Sequence, residues 1–351
     1  MKRFLTLIVF VLATAGAFAL AGIAEADGPS LLTEYPVPGK PLYIAVEAPG
    51  KIWFTLPERN WIGQLVVTST TEYQVITYSV PTANAYPYDV DYAGGMVWFT
   101  GRDGNKISRL NPVDGMFTEF ALPDTITHPT GIDVLTGSST RIWFAAYSGV
   151  GQLIMTDTND YAFTVYFTST LQGTQLEDIF VHNNDSIWFT APGVSRIGNV
   201  KPSLPASSAI VLVSTGGGSQ PWAIQVDSGG YPWFTDKAGN RIGKFFPQTI
   251  ADILWYTLPS ANSAPDDLAI AQGWVWFSEE GGSRVGQLRM SPPTPKLIRE
   301  FGLPAGSSPR GVGVDANGCV WIAEWGRERV ASWCPPYFRF VYLPLVLRNA
   351  Q

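Results

Sequence analysis

Apolar residues in this chain come in short alternating bursts bounded by turn residues, not at helical spacing. The clearest unit runs Tyr88-Asp89-Val90-Asp91, then Met96 to Thr100, Lys106 to Leu110 and Phe117 to Pro123. Each burst is β-branched or aromatic and bounded by Gly, Asn, Asp or Pro, which predicts four strands joined by tight turns. The unit recurs. Ile52-Trp53-Phe54-Thr55 returns as Trp98-Phe99-Thr100, Trp143-Phe144-Ala145, Trp188-Phe189-Thr190, Trp233-Phe234-Thr235, Trp276-Phe277-Ser278 and Trp321-Ile322-Ala323, with Trp-to-Trp steps of 45 residues and one of 43. Four strands per repeat of this length predict an all-β fold, a seven-bladed β-propeller of four-stranded antiparallel blades. Adjacent Trp and Phe point to opposite faces of the second strand, so both faces need cover, and neighbouring blades supply it. No sustained 3.6-residue apolar period supports a helical solenoid.

Two segments compete to close the ring. Residues 30–38 resemble an outer strand without a blade of its own, and their spacing to the next unit is the regular one. The tail from Phe338 to Pro344 has a similar pattern. The N-terminal strand is the expected closure, pairing with the seventh blade so that no edge stays open. In the last unit, a hairpin turning at Trp325-Gly326-Arg327-Glu328 sets Cys319 opposite Cys334. That register predicts a cross-strand disulfide in an oxidising compartment.

Ahead of the repeats, Lys2-Arg3, an apolar run from Phe4 to Leu20 and Ala24-Glu25-Ala26 match a secretory signal peptide. The expected division is a signal segment over 1–26, a propeller over 27–334 and a tail of unassigned role over 335–351. Secretion, or at least an extracytoplasmic location, follows from that division. Composition agrees, with 35 Gly and 27 Pro for many turns. A net charge of −6 without a Lys/Arg run argues against nucleic-acid binding. No second segment is apolar and long enough for a membrane span. The expected state is a monomer.

Candidate chemistry comes from positions where the repeats differ. The inner strand of a blade and the end of its second strand open on one face, so two rings are expected at the channel mouth. The first follows the leading proline of each unit or its equivalent: Leu42, Tyr88, Thr130, Glu177, Trp222, Asp266 and Arg310. The second lies three residues past each Trp: Leu56, Gly101, Ala146, Ala191, Asp236, Glu279 and Glu324. Carboxylates crowd blades four to seven. The expected site is Glu177, Asp236, Asp266, Glu279 and Glu324 around Arg310, walled by Trp222 and Tyr88. Clustered carboxylates are relieved by a cation, a proton or an Arg. Asp236, Asp266, Glu279 and Glu324 are therefore candidate metal ligands for Mg²⁺ or Ca²⁺, with no organic cofactor expected. Arg310, Trp222, Tyr88 and Glu177 are candidate contacts to a small-molecule or peptide-like ligand.

Units of the form Pro-x-x-Ile, Trp-Phe-Thr, Ile-Gly and Leu-Pro resemble the streptogramin B lyase (virginiamycin B lyase) family of seven-bladed propellers over about residues 29–334. The resemblance implies Mg²⁺-assisted opening of a lactone ring by elimination. It also implies a histidine base after the leading proline of the last blade, a second histidine at the same place in a preceding blade, and a glutamate shortly after the last Trp-Phe pair. Here Pro309 is followed by Arg310, and Trp222 and Asp266 occupy the corresponding places in blades five and six. Glu324 alone matches, one residue out of step. His128 and His182 fall toward different faces and cannot share a relay. Three readings follow: a lyase-like enzyme with Asp266 or Glu324 as base, a non-catalytic extracellular binding protein, and a relative of calcium-dependent lactone hydrolases. Weak divalent-cation binding and no appreciable streptogramin opening are the expected behaviour.

Overall fold

The computed structural model describes residues 32–69, 72–155, 160–205, 208–248, 252–290 and 297–334. The expected signal segment, 1–26, and the tail, 335–351, lie outside the described residues. Short, β-branched bursts separated by Gly, Asn and Pro turns form seven four-stranded antiparallel sheets. Six of the sheets are consecutive meanders. Blade 1 covers 44–79, blade 2 covers 87–121, blade 3 covers 132–166, blade 4 covers 179–214, blade 5 covers 221–257 and blade 6 covers 265–302. Blade 7 takes three strands from 309–333 and a fourth from the start of the described chain, Leu32–Pro36, which pairs antiparallel with Arg329–Trp333. The N-terminal strand therefore closes the ring and leaves blade 7 complete.

The Trp-Phe pair explains the packing of every joint. Trp53 shares a core with Phe99, Trp98 with Phe144, Trp143 with Phe189 and Trp188 with Phe234. Trp233 does the same with Phe277, Trp276 with Ile322 and Trp321 with Phe54. Trp thus faces the following blade and Phe the preceding one, as adjacent strand residues must. Burying each such side chain contributes about 1.5–3 kcal/mol, and the joints carry most of the apolar surface.

The repeated Gly of the third strand follows from the Phe. Phe54, Phe144, Phe189, Phe234 and Phe277 lie opposite Gly63, Gly151, Gly198, Gly243 and Gly286. A Cβ at any of these glycines would come within 2.0–2.3 Å of the ring. In blade 7 the shorter Ile322 faces Ala331, so the pair exchanges volume across the strands. Cys319 and Cys334 are joined, with Cα atoms 4.2 Å apart, in the register that pairs Val320 with Trp333. Blade 3 turns from its second to its third strand through Tyr147 and Ser148 alone, Ser148 having φ of 72°. Val150 accordingly follows Trp143 by seven residues, where Ile62 follows Trp53 by nine, so this turn is two residues shorter than its counterparts.

Candidate functional site

The mouth residues are aimed by a bulge at the head of each inner strand. In blade 2 the register runs from Pro87–Gly101 to Val90–Phe99, so Tyr88 and Asp89 together oppose Thr100. Blades 5, 6 and 7 repeat the shift after Pro221, Pro265 and Pro309. An extra residue at a strand end re-aims two side chains, one to the mouth and one into the channel. The Thr of Trp-Phe-Thr holds the bulge. Its hydroxyl accepts from the N–H of the channel residue in its own blade, as from Asp89 to Thr100 at 3.1 Å and from Ala223 to Thr235 at 2.9 Å. It donates to the carbonyl of the mouth residue in the next blade: Thr55 to Tyr88 at 2.8 Å, Thr100 to Thr130 at 2.6 Å, Thr190 to Trp222 at 2.6 Å, Thr235 to Asp266 at 2.8 Å and Ser278 to Arg310 at 2.5 Å. Blades 3 and 7 have Ala145 and Ala323 instead. There a glycine N–H takes over, Gly131 to the Glu177 carbonyl and Gly311 to the Leu42 carbonyl, both at 2.8 Å. A Cβ at Gly131 would lie 2.7 Å from the Asp178 Cα, so only glycine allows this approach.

Aromatic rings and paired charges fill the mouth. Tyr43 and Tyr88 meet edge to face at 5.4 Å, Tyr86 stacks on Tyr88 at 6.5 Å, and the Trp222 indole N–H donates to the Tyr43 hydroxyl at 3.3 Å. Cations sit on these rings: Lys237 lies 4.2 Å from the Trp222 centroid and Arg102 lies 4.2 Å from that of Tyr86. Lys237 bridges Asp266 and Glu280, and Arg310 reaches Glu280 at 2.5 Å and Asp266 at 3.6 Å. Two buried polar atoms in this cluster have no partner among the described residues, Arg310 Nε–H and Asp266 Oδ2. Burial raises the Asp266 carboxyl despite the opposing pull of Lys237 and Arg310.

Glu177 stands apart from the ion pairs. It is 6% exposed, and its Oε1 accepts from the Tyr88 hydroxyl. Burial pushes it up to about 7, the Tyr88 hydrogen bond and the Lys237 and Arg102 charges pulling down while Asp266 pushes up. Below it, Tyr43, Tyr88, Glu177 and Trp222 open on a channel cavity of about 240 Å³ that also meets Asp89, Asp91, Asp133, Asp178 and Asp267. These aspartates tie blades together. Asp89 accepts from Val90 and from Ile132 of the next blade, Asp178 from Ile179 and Ile224, and Asp267 from Leu268 and Val312, all at 2.7–2.9 Å. Burial first, then mutual repulsion, raises all three.

Of the first ring, Tyr88, Glu177, Trp222, Asp266 and Arg310 meet at the mouth. The carboxylates of the second ring do not join them. Asp236, Glu279 and Glu324 are fully buried, each beside an arginine of its own blade: Arg241 at 2.8 Å, Arg284 at 2.9 Å and Arg327 at 3.8 Å. The reason is strand parity. Three residues past the Trp lies on the same side as the Phe, toward the preceding blade, so Glu324 meets Ser307 and Glu34 and not the channel. The four proposed metal ligands are thus not gathered, and among the described residues no cluster of three or more His, Cys, Asp or Glu is arranged for a metal. The acidic set does not fit the Mg²⁺ that the resemblance implies. Four residues past the Trp is the productive ring, holding Arg102, Lys237, Glu280 and Trp325, which counting from the Trp to an odd position passes over. Tyr43 and Tyr86 escape it too. His128 and His182 are both exposed.

The profile of the virginiamycin B lyase family matches residues 22–215 and 178–335. A virginiamycin B lyase of Nocardia farcinica (strain IFM 10152) is 29% identical over 113 residues, 32% of this chain and 39% of that protein. The matched stretch is thus under half of that relative's length. Among solved structures, a streptogramin B lyase superposes with a TM-score of 0.74 at 25% identity, covering 86% of this chain and 96% of that one. Virginiamycin B lyase from Staphylococcus aureus gives 0.74 at 23%, over 87% and 99%, a likeness of fold. With its repeats, its closure and a profile match spanning nearly all the described blades, the chain belongs to the virginiamycin B lyase family.

Proposed function

We propose that this propeller binds a small peptide-like ligand at its channel mouth and does not carry out a histidine-driven elimination there. The observation that carries the reading is the pair of orphaned buried atoms, Arg310 Nε–H and Asp266 Oδ2, beside Trp222. An amide offers one acceptor and one donor, the complement of that pair, and a buried polar group left unpaired costs about 1–3 kcal/mol until something satisfies it. The Trp222, Tyr43 and Tyr86 rings supply apolar area around it. Arg310, permanently protonated and ion-paired, cannot take a proton from carbon. The signal-like start of the sequence and the Cys319–Cys334 bridge support action outside the cytoplasm.

Titration calorimetry with a type B streptogramin, a cyclic peptide-like probe, tests the reading. Saturable binding weakened at least several-fold in Arg310→Ala and Asp266→Asn is expected, without formation of the eliminated, equal-mass product in the presence of Mg²⁺. Absence of binding at millimolar probe, or equal binding by both variants, overturns it.

A further inference from the structure

We propose that Glu177 is a general base at this mouth, activating water for hydrolysis of a carboxylic ester, open or cyclic. The inference deepens the ligand-site reading above and rests on it. Glu177 differs from every other acid at the mouth and in the channel beneath. Asp266 and Glu280 are held in ion pairs with Lys237 and Arg310. Asp89, Asp178 and Asp267 each use both oxygens on backbone N–H groups, and Asp91 and Asp133 likewise each accept from two backbone N–H groups, of Tyr92 and Val134 and of Val134 and Val181. Glu177 forms no ion pair among the described residues, takes its one hydrogen bond at Oε1 from Tyr88, and lines the cavity. Its Oε2 therefore offers an unoccupied acceptor lone pair to whatever enters, which is what a base requires before its acidity matters. An environment of buried rings and neighbouring acids then keeps it poised near neutrality, where a base works best.

The partners of the step are also at hand. Among the described residues no Ser, Thr, Cys or His lines the cavity, so the attacking group is water. Lys237 spends two of its three N–H donors on Asp266 and Glu280, and Arg310 keeps Nε–H unpaired. These two donors suit a carbonyl oxygen that gains negative charge. Oε2 takes a proton from water as the water oxygen bonds to the ester carbonyl carbon and the π pair moves to the carbonyl oxygen. Collapse of that adduct re-forms the carbonyl and breaks the C–O bond. The proton on Glu177 passes to the departing alkoxide, leaving an acid, an alcohol and the carboxylate restored. Tyr88 is a positioning residue, fixing Oε1 so that Oε2 faces the cavity.

The test uses the folded protein with p-nitrophenyl acetate and with a type B streptogramin as probes. Product mass separates the outcomes: hydrolysis adds one water, whereas elimination leaves the mass unchanged. Wild-type hydrolysis rising with pH through a limb near neutrality is expected, lowered roughly 10²–10⁴-fold in Glu177→Gln. Tyr88→Phe removes the hydrogen bond that favours the ionised carboxylate, so it should move the limb to higher pH, a shift that a merely structural Tyr88 would not produce. Binding of the streptogramin without Glu177-dependent hydrolysis of either probe overturns the base assignment and leaves the ligand site standing. An equal-mass opened ring also overturns it. Failure to bind the cyclic probe, with ester hydrolysis that depends on Glu177, overturns the peptide-like ligand instead.

Discussion

Replacing Gly286 by Ala tests the packing rule that builds five of the seven blades. Gly286 lies in the third strand of blade 6 opposite Phe277, and an added Cβ would stand 2.1 Å from both Cε2 and Cζ of that ring. Gly286 has no positive φ, so alanine is free of backbone strain there. In a strand, Ala would even gain roughly 0.5–1 kcal/mol over Gly from the unfolded chain. The clash must therefore exceed that gain to show. Phe277 is fully buried between blades, and forcing a well-packed core apart costs about 1–3 kcal/mol. A net loss of about 1–2 kcal/mol is expected, since Ser108 opposite Phe99 in blade 2 proves that a ring can yield to a Cβ when its surroundings are built for it.

The natural pair in blade 7, Ile322 with Ala331, supplies the rescue. Phe277→Ile alone leaves a void; combined with Gly286→Ala it should recover part of both losses, with a favourable coupling of at least about 1 kcal/mol. Urea unfolding followed by tryptophan fluorescence gives the four midpoints of the cycle. Because Ser278, next to Phe277, holds the Arg310 carbonyl at 2.5 Å, Gly286→Ala should also weaken ligand binding at the mouth. A Gly286→Ala protein as stable as the parent, or losses that simply add, would refute the steric account of the repeated glycine.

Thr235→Val strips the hydroxyl that joins the Ala223 N–H to the Asp266 carbonyl, so a loss of about 1–3 kcal/mol is expected in denaturant unfolding, together with weaker ligand binding. Thiol titration of denatured, unreduced protein should find no free thiol, and reduction should lower stability by about 3 kcal/mol for the short loop between Cys319 and Cys334. Glu324 is pushed up to about 8 by burial and by the Glu34 carboxyl beside it. A carboxyl raised on folding contributes stability that is full below its unfolded value and is lost as pH rises through the folded one. The parent should therefore lose stability between about pH 5 and about pH 9, and Glu324→Gln should flatten that slope by one proton's worth in urea midpoints.

Most of the fold is legible because one short motif is repeated with its partners. Trp53 to Trp321 mark the second strand of each blade, and five of the six Phe residues that follow these Trp have a Gly opposite them in the third strand, Phe99 facing Ser108 instead. Leu32–Pro36 carries an outer-strand pattern ahead of the first Trp-Phe unit, which is why closure can be read. Cys319 and Cys334 share the hairpin register. The first ring at the mouth is legible too, since the proline heads the bulge that aims Tyr88, Trp222, Asp266 and Arg310. Asp236, Glu279 and Glu324 lie on the side of the strand that faces the preceding blade, which charge alone does not reveal, whereas Lys237, Glu280 and Arg102, one position further, reach the mouth. The ring contacts of Tyr43 and Tyr86 depend on how bulges tilt side chains, which spacing alone does not encode.

The two ways of locking a joint bear on where chemistry can reside. Five joints hold the next mouth residue through a Thr or Ser hydroxyl, a link that a side-chain rotation can break. The joints into blades 4 and 1 hold it through a glycine N–H instead, with the backbones so close that a Cβ at Gly131 or Gly311 would meet the neighbouring Cα at 2.7 and 2.8 Å. Glu177 is the mouth residue of blade 4, and Tyr43 follows that of blade 1. Among the described residues, the one mouth acid without an ion pair and the tyrosine nearest Tyr88 are thus fixed by main chain on main chain, the least yielding contact available. A base must keep its lone pair within a few tenths of an ångström of its target, and rigid support is what that geometry demands. The ion-paired Asp266 and Arg310, by contrast, sit on hydroxyl-held joints, through Thr235 and Ser278.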